Sequence, residues 1–209
     1  MFYEPQNPHG LKHDPFKCLV VPRPIGWISS LDAEGRANLA PFSFFNAIAT
    51  NPPVVIFGAN GPHAEGGYKD TFANVAATGE FVCNLATWDT REAMNKTSAS
   101  APRAVDEFAL AGLTPLPSRL VAPPRVKESP VHLECRYLQT VALPSNDPTS
   151  PNNAVFGQVV GIHIDDAFIK DGMVDQAAMK PIARLGYMDY AVVESLFAMQ
   201  RPTFEEIER

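Results

Sequence analysis

Two short runs hold the residues best suited to chemistry. Lys69-Asp70-Thr71 follows a loop ending in Gly66-Gly67 and precedes Phe72, Val75 and Ala76, which recur at helical spacing. A lysine and a threonine where a helix begins suit a phosphate, because the free backbone N–H groups and the helix dipole both favour an anion. The same three residues also read as an ordinary Asp70 or Thr71 N-cap with Lys69 in solvent. The second run, Ser43-Phe44-Phe45-Asn46, sets a hydroxyl, two aromatic faces and an amide directly after a strand. That mixture suits a flat ligand with polar edges better than a plain core.

Self-sufficient catalytic machinery is not written into the chain. No G-x-S-x-G surrounds Ser29, Ser30 or Ser43, and there is no HExxH, GxGxxG or GxxxxGKS/T. His9 and His13 are four apart, but Pro5, Pro8, Gly10 and Pro15 discourage the helix that would turn this spacing into a metal site. His132 and His163 fall in strands of alternating polarity, where a histidine is more often a surface group or a satisfied core group. Cys18, Cys83 and Cys135 are widely spaced with no CxxC, as expected of buried thiols. No catalytic side chain and no metal ligand set is expected, so any chemistry falls to a bound group.

The elements that must position these residues follow from periodicity. Strands are expected over Ile25–Leu31 and Ala37–Phe42, joined by Asp-Ala-Glu-Gly35, whose glycine can take the positive φ a hairpin needs. The following Phe42–Asn46 run and Asn51-Pro52-Pro53 are not expected to continue a regular ladder. Val54–Gly58 reads as a buried strand, Phe72–Thr78 as a helix stopped by Gly79, and Phe81–Leu85 as a short strand. Thr87–Lys96 reads as a helix with Asp89 and Glu92 at capping-box spacing, and Val105–Gly112 as a shorter one. Val131–Val141 alternates as a half-exposed strand, Leu143–Asn153 as a long loop or lid, and Ala154–Asp165 as a long strand with bulges at Gly157 and Gly161. Pro181–Val193 is a last strand-like segment that Gly186 interrupts.

With 209 residues, 45% of them hydrophobic, one domain is expected: an arm over 1–17 with a first strand near Cys18–Val21, a helical excursion over 86–130, and a tail over 195–209. At least seven short strands without a β-then-helix alternation point to a mainly β fold, a closed antiparallel barrel with helical insertions. A net charge of −6 with no basic stripe excludes nucleic acid as a principal partner. The absence of a leader and of any apolar run of about 20 residues predicts a cytoplasmic protein with no membrane segment.

Taken together, R-P-I-G-W-I-S-S at Arg23–Ser30, N-L-A-P-F-S-F-F-N at Asn38–Asn46, N-P-P at Asn51–Pro53, K-D-T-x-x-N at Lys69–Asn74, T-G-E-F-V-x-N at Thr78–Asn84 and the late G-Q-V-V-G-I-H-I resemble the flavin reductase-like family of FMN-binding split barrels. The likeness runs over roughly 15–195 and extends to the flavoredoxin-like branch and the reductase components of two-component monooxygenases. It implies a homodimer of Greek-key split barrels that binds FMN near the subunit interface and takes a hydride from NADH or NADPH onto the flavin. By the same resemblance, the strand Trp27-Ile28-Ser29-Ser30 runs beside the isoalloxazine, with Ser29 or Ser30 at its polar edge. Phe44, Phe45 and Asn46 lie against the ring or ribityl chain, with Ser43 toward the phosphate. Lys69 and Thr71, beside Asp70, meet the phosphate, and Arg184 adds a further contact. On this reading FMN is either a bound prosthetic group or a substrate released, reduced, to a partner oxygenase. The alternatives are an FMN-containing electron carrier that does not use NAD(P)H, and a non-catalytic ligand-binding barrel.

Overall fold

A computed structural model describes residues 1–208. Behind an arm that holds one helical turn, α1 (Phe16–Leu19), come β1 (Arg23–Pro24), β2 (Gly26–Leu31), β3 (Ala37–Phe42), β4 (Phe45–Thr50) and β5 (Pro53–Asn60). Helix α2 (Asp70–Thr78) leads into β6 (Glu80–Leu85), then α3 (Arg91–Lys96), α4 (Glu107–Ala111) and the short pair β7 (Pro115–Leu116) and β8 (Arg125–Val126). The two longest strands follow, β9 (Val131–Leu143) and β10 (Asn152–Ile164). A small hairpin, β11 (Ile169–Lys170) and β12 (Met173–Val174), precedes α5 (Gln176–Met179), β13 (Ile182–Arg184), β14 (Tyr190–Val192) and α6 (Phe204–Ile207).

Seven strands form one antiparallel sheet in the order β3-β2-β6-β9-β10-β5-β4. Its two edges, β3 and β4, are consecutive in the chain and joined only by Ser43 and Phe44, so the sheet must curl until its edges approach. The Gly58 amide donates to the Phe44 carbonyl at 2.7 Å, which carries the β4–β5 ladder one residue into the seam. This is the split barrel the sequence predicts. Inside it, Phe57 packs between Phe42 (ring centroids 5.1 Å) and Phe81 (5.5 Å), above Ile28, Val75 and Val155. Burying each such side chain contributes about 1.5–3 kcal/mol.

Strand β2 faces two cores, which explains why it does not alternate. Ile28 points into the barrel, while Trp27 points out beneath Met94, Phe108 and Val126 of the excursion. The excursion is therefore the lid of a second core, as its lack of an independent one requires. Asn84 ties it down: its Oδ1 accepts from the Val126 amide at 2.8 Å and its Nδ2 donates to the Trp27 carbonyl at 2.9 Å.

The bulges expected at Gly157 and Gly161 are present, with the β9–β10 register shifting between Phe156 and Gly157 and between Val159 and Gly161. Four local expectations need correction. The ladder does break at Ser43-Phe44, but it resumes at once: Phe45–Thr50 is an edge strand on β5, and Asn51-Pro52 makes the turn. Cys18–Val21 is no strand, because α1 ends there and the chain bends at Pro22. Helix α3 starts at Arg91, four residues late, and no Asp89–Glu92 capping box forms; Thr90 Oγ1 accepts instead from the Thr87 amide at 3.0 Å. The polar side of β9 is only partly in solvent: the 117–126 stretch covers its first half and leaves His132 and Glu134 buried, while Arg136 is exposed.

Candidate functional site

A cleft of about 530 Å³ opens where the barrel seam, the arm and the β13–β14 hairpin meet. Its size lies in the usual range for a small-molecule or cofactor site, roughly 300–1,000 Å³. Ser43 and Phe44 form the seam side, Gly58 and Asn60 of β5 the back, and Leu185, Tyr187 and Tyr190 the hairpin side. Four cations line it, Lys17, Arg23, Lys69 and Arg184, against one carboxylate, Asp14. Such an excess favours an anionic ligand.

Arg23 is the hub. It is only 6% exposed, and its guanidinium donates to the carbonyls of Lys17 and Val20 on the arm and of Leu185 on the hairpin. Its Nε remains buried without a partner among the described residues, an unmet donor at the cleft wall. Burial first, and then Arg184, depress the Arg23 pKa, so the two guanidiniums repel and both gain from an anion between them. Arg184 lies flat on Tyr190 at 4.5 Å and donates to its hydroxyl and to the Tyr187 carbonyl. The arm and hairpin touch through Cys18, whose Sγ lies 2.1 Å from where a Cβ on Gly186 would be, so any larger residue there would push them apart.

At the other end of the cleft, Lys69 is the N-cap of α2 but caps it with no side-chain bond, leaving the first amides of a nine-residue helix free. A compartment of about 120 Å³ lies there, bordered by Lys69, Ser98 and Ser100. Desolvation by the cleft walls, then repulsion from Lys17, lower the Lys69 pKa, although much of its stem is open to solvent. The Thr71 hydroxyl is not free: it donates to Asn38 Oδ1 at 2.7 Å, and Asn38 is held in turn by Glu107 at 3.3 Å. Asp70 pairs with Arg103 and with His63 at 3.4 Å, which fastens the Gly-rich loop in place. At this end Lys69 and the backbone offer charge, whereas Asp70 and Thr71 shape the helix start.

The structure thus brings Ser43, Phe44, Lys69 and Arg184 to one cleft, with Asp70 and Thr71 beside it. It keeps Trp27, Ile28, Ser29 and Ser30 apart, all fully buried. Trp27 donates from its indole to Thr97 Oγ1 at 2.9 Å, Ser29 donates to the Pro124 carbonyl, and Ser30 accepts from Asn74 at 3.1 Å. The main chain of β2 is taken up by β3 on one side and β6 on the other. Phe45 is half-buried against Gly26, where a Cβ would lie 2.6 Å from its ring, and Asn46 is exposed, bonding its own chain at the Ala47 amide. Sequence reasoning missed Arg23, Lys17, Tyr187 and Tyr190. The one available signal was an arginine immediately before the two-sided strand β2.

Comparison with known proteins places this split barrel and its cationic cleft in a class of flavin-handling proteins. Residues 18–182 match the model of the flavin reductase like domain. Nitrilotriacetate monooxygenase component B from Bacillus cereus superposes with a TM-score of 0.85 at 30% identity, covering 95% of this chain and 98% of that one. The 2-nitrobenzoate 2-nitroreductase NbaA of Pseudomonas fluorescens gives 0.78 at 26% identity, covering 90% and 89%. Flavoredoxin of Desulfovibrio vulgaris (Miyazaki F) shares the fold, with 0.73 at 17% identity and 95% and 97% covered. The chain belongs to the flavin reductase-like family, a family of flavin-related oxidoreductases. No helix among the described residues is long and apolar enough to cross a membrane.

Proposed function

We propose that the protein binds FMN in the seam cleft and reduces it with NADH or NADPH. The carrying observation is the convergence of Lys17, Arg23, Lys69 and Arg184, with the uncapped start of α2, on a single cleft of cofactor size. The residues fit the group: the unmet Arg23 Nε and the free α2 amides are donors awaiting an anion, and Phe44 and Tyr190 offer aromatic surface. Bound FMN supplies the redox chemistry, which explains the missing triad. Lys69 and the α2 amides bind the phosphate, Arg23 and Arg184 favour negative charge on the reduced ligand, and Ser43 holds a polar edge. Trp27 to Ser30, Phe45 and Asn46 enter as the frame behind the seam rather than as contacts. The name of the B. cereus neighbour, a monooxygenase component B, supports delivery of reduced flavin to a partner oxygenase. A homodimer fits the apolar side chains that β4 and the end of β9 leave in solvent, Ile48, Leu138, Val141 and Leu143.

An anaerobic absorbance titration with FMN, followed by NADH and then NADPH, tests the reading. Saturable binding followed by bleaching of the flavin band is the expected result. Binding without bleaching would turn the protein into an electron carrier fed by a protein partner, and no binding would leave a ligand-binding barrel.

A further inference from the structure

The seam cleft is not a closed end. Met94, Arg184 and Tyr190 also line a second chamber of about 370 Å³, between α3 and the β13–β14 hairpin, and through them the two volumes adjoin. Met94, Ile182 and Val192 give it an apolar side, and Asn95 and Glu92, the latter 3.6 Å from Arg91, a polar one. Its rim carries Trp88, 43% exposed, with the Arg91 guanidinium 3.9 Å over the indole and anchored by a bond to the Trp88 carbonyl. At the shared mouth stands Arg184, held flat on Tyr190. Nothing in the barrel's own packing needs a half-exposed tryptophan there.

The chamber offers apolar side chains, a tryptophan face and the guanidiniums of Arg91 and Arg184, which suit a purine base and the phosphate beyond its ribose. We propose that it receives the adenosine half of the nicotinamide dinucleotide whose other half reacts in the cleft, an inference that rests on the donor reading above. Size supports the assignment. Of the two compartments adjoining the cleft, the one beside α2, about 120 Å³, falls below the usual range for an organic ligand and suits a phosphate. The chamber, about 370 Å³, falls within the usual range for an organic ligand, roughly 300–1,000 Å³. FMN phosphate at α2 and donor adenosine beside α3 thus occupy separate compartments, with Arg184 lining both the cleft and the chamber.

The test compares donors with and without the adenosine half. KM is measured for NADH, NADPH and reduced nicotinamide mononucleotide in the wild type, Trp88→Ala and Arg91→Ala, all at saturating FMN. Losing a base-stacking partner should raise the KM of the preferred dinucleotide on the order of ten- to a hundredfold. The KM of the mononucleotide and the affinity for FMN should stay unchanged. Equal shifts for both donors, or no shift for the dinucleotide, would overturn the assignment. A wild type that binds FMN but oxidises neither dinucleotide ends the donor reading, and titration with ADP-ribose then decides the chamber alone. Saturable quenching of tryptophan emission that Trp88→Phe abolishes upholds an adenosine site; no quenching overturns it.

Discussion

Among single residues, Lys69 has the clearest consequence. Its ammonium is disfavoured in the cleft by desolvation and by Lys17, so its pKa lies below the usual lysine range, and a phosphate would restore it. FMN binding should therefore take up a proton and weaken as pH rises, beginning at lower pH than for an ordinary lysine. Lys69→Met should weaken FMN binding roughly ten- to a hundredfold, the worth of one charge-assisted hydrogen bond, and remove that pH dependence. Riboflavin, which lacks the phosphate, should bind both forms alike; a loss of riboflavin binding equal to that of FMN would refute the assignment. Lys69 was legible in the sequence because its partners, the α2 amides, are its chain neighbours. Arg23 was not, because the Leu185 carbonyl it holds is 162 residues away. The hydroxyls of Ser29 and Ser30 were expected at a flavin edge from the family resemblance, and their own partners were as hidden as that of Arg23. Their partners, Pro124 and Asn74, reach them only through the folded excursion and α2.

Within the elements, glycine positions set how closely strands pack. At the β10 bulge a Cβ on Gly157 would meet the Phe81 ring at 2.2 Å, and Phe81 is sealed in the barrel against Phe57. Gly157→Ala should cost about 1–3 kcal/mol through overpacking, seen as a lower urea midpoint. An unchanged midpoint would mean that the ring has somewhere else to go. Both bulges of β10 were visible in the sequence because a glycine inside an otherwise apolar strand has few other uses. Strand β4 was not visible, since its run of Phe, Asn, Ala, Ile, Ala and Thr lies between prolines and pairs on one edge only, where burial leaves no alternation. The missing capping box on α3 has a similar origin. Thr87 and Thr90 close the turn between themselves, so the helix has no use for Asp89 and Glu92.

For the molecule as a whole, the buried polar face of β9 couples stability to acid. His132 Nε2 donates to the Val126 carbonyl, 2.8 Å away, and its Nδ1 has no partner among the described residues. Burial, with Arg125 and His163 nearby, pushes its pKa down to about 4, the Val126 bond and Glu134 opposing. The unfolded ring takes its proton near pH 6.5, so between there and about 4 the unfolded state binds more protons and stability falls as pH falls. The loss should be on the order of 2–3 kcal/mol. Burial would raise the neighbouring Glu134 carboxyl, yet the Arg119 and Leu120 amides and His163 together hold it below the usual range. Its contribution is therefore lost only at still lower pH. Denaturation of the wild type at pH 7 and 4.5 should show this fall, and His132→Gln should flatten it; parallel slopes would place the sensitivity elsewhere. The barrel itself was legible from strand count alone, whereas the covering of β9 was not, because alternation says which side is polar but not which side is wet.

The guanidinium of Arg23 joins three stretches of chain through three carbonyls. The arm is therefore part of the wall of the cleft rather than a leader to the barrel. Removing the arm ahead of β1 would leave the barrel's ladders whole yet open the cleft on one side, so this protein would retain its shape while losing its grip.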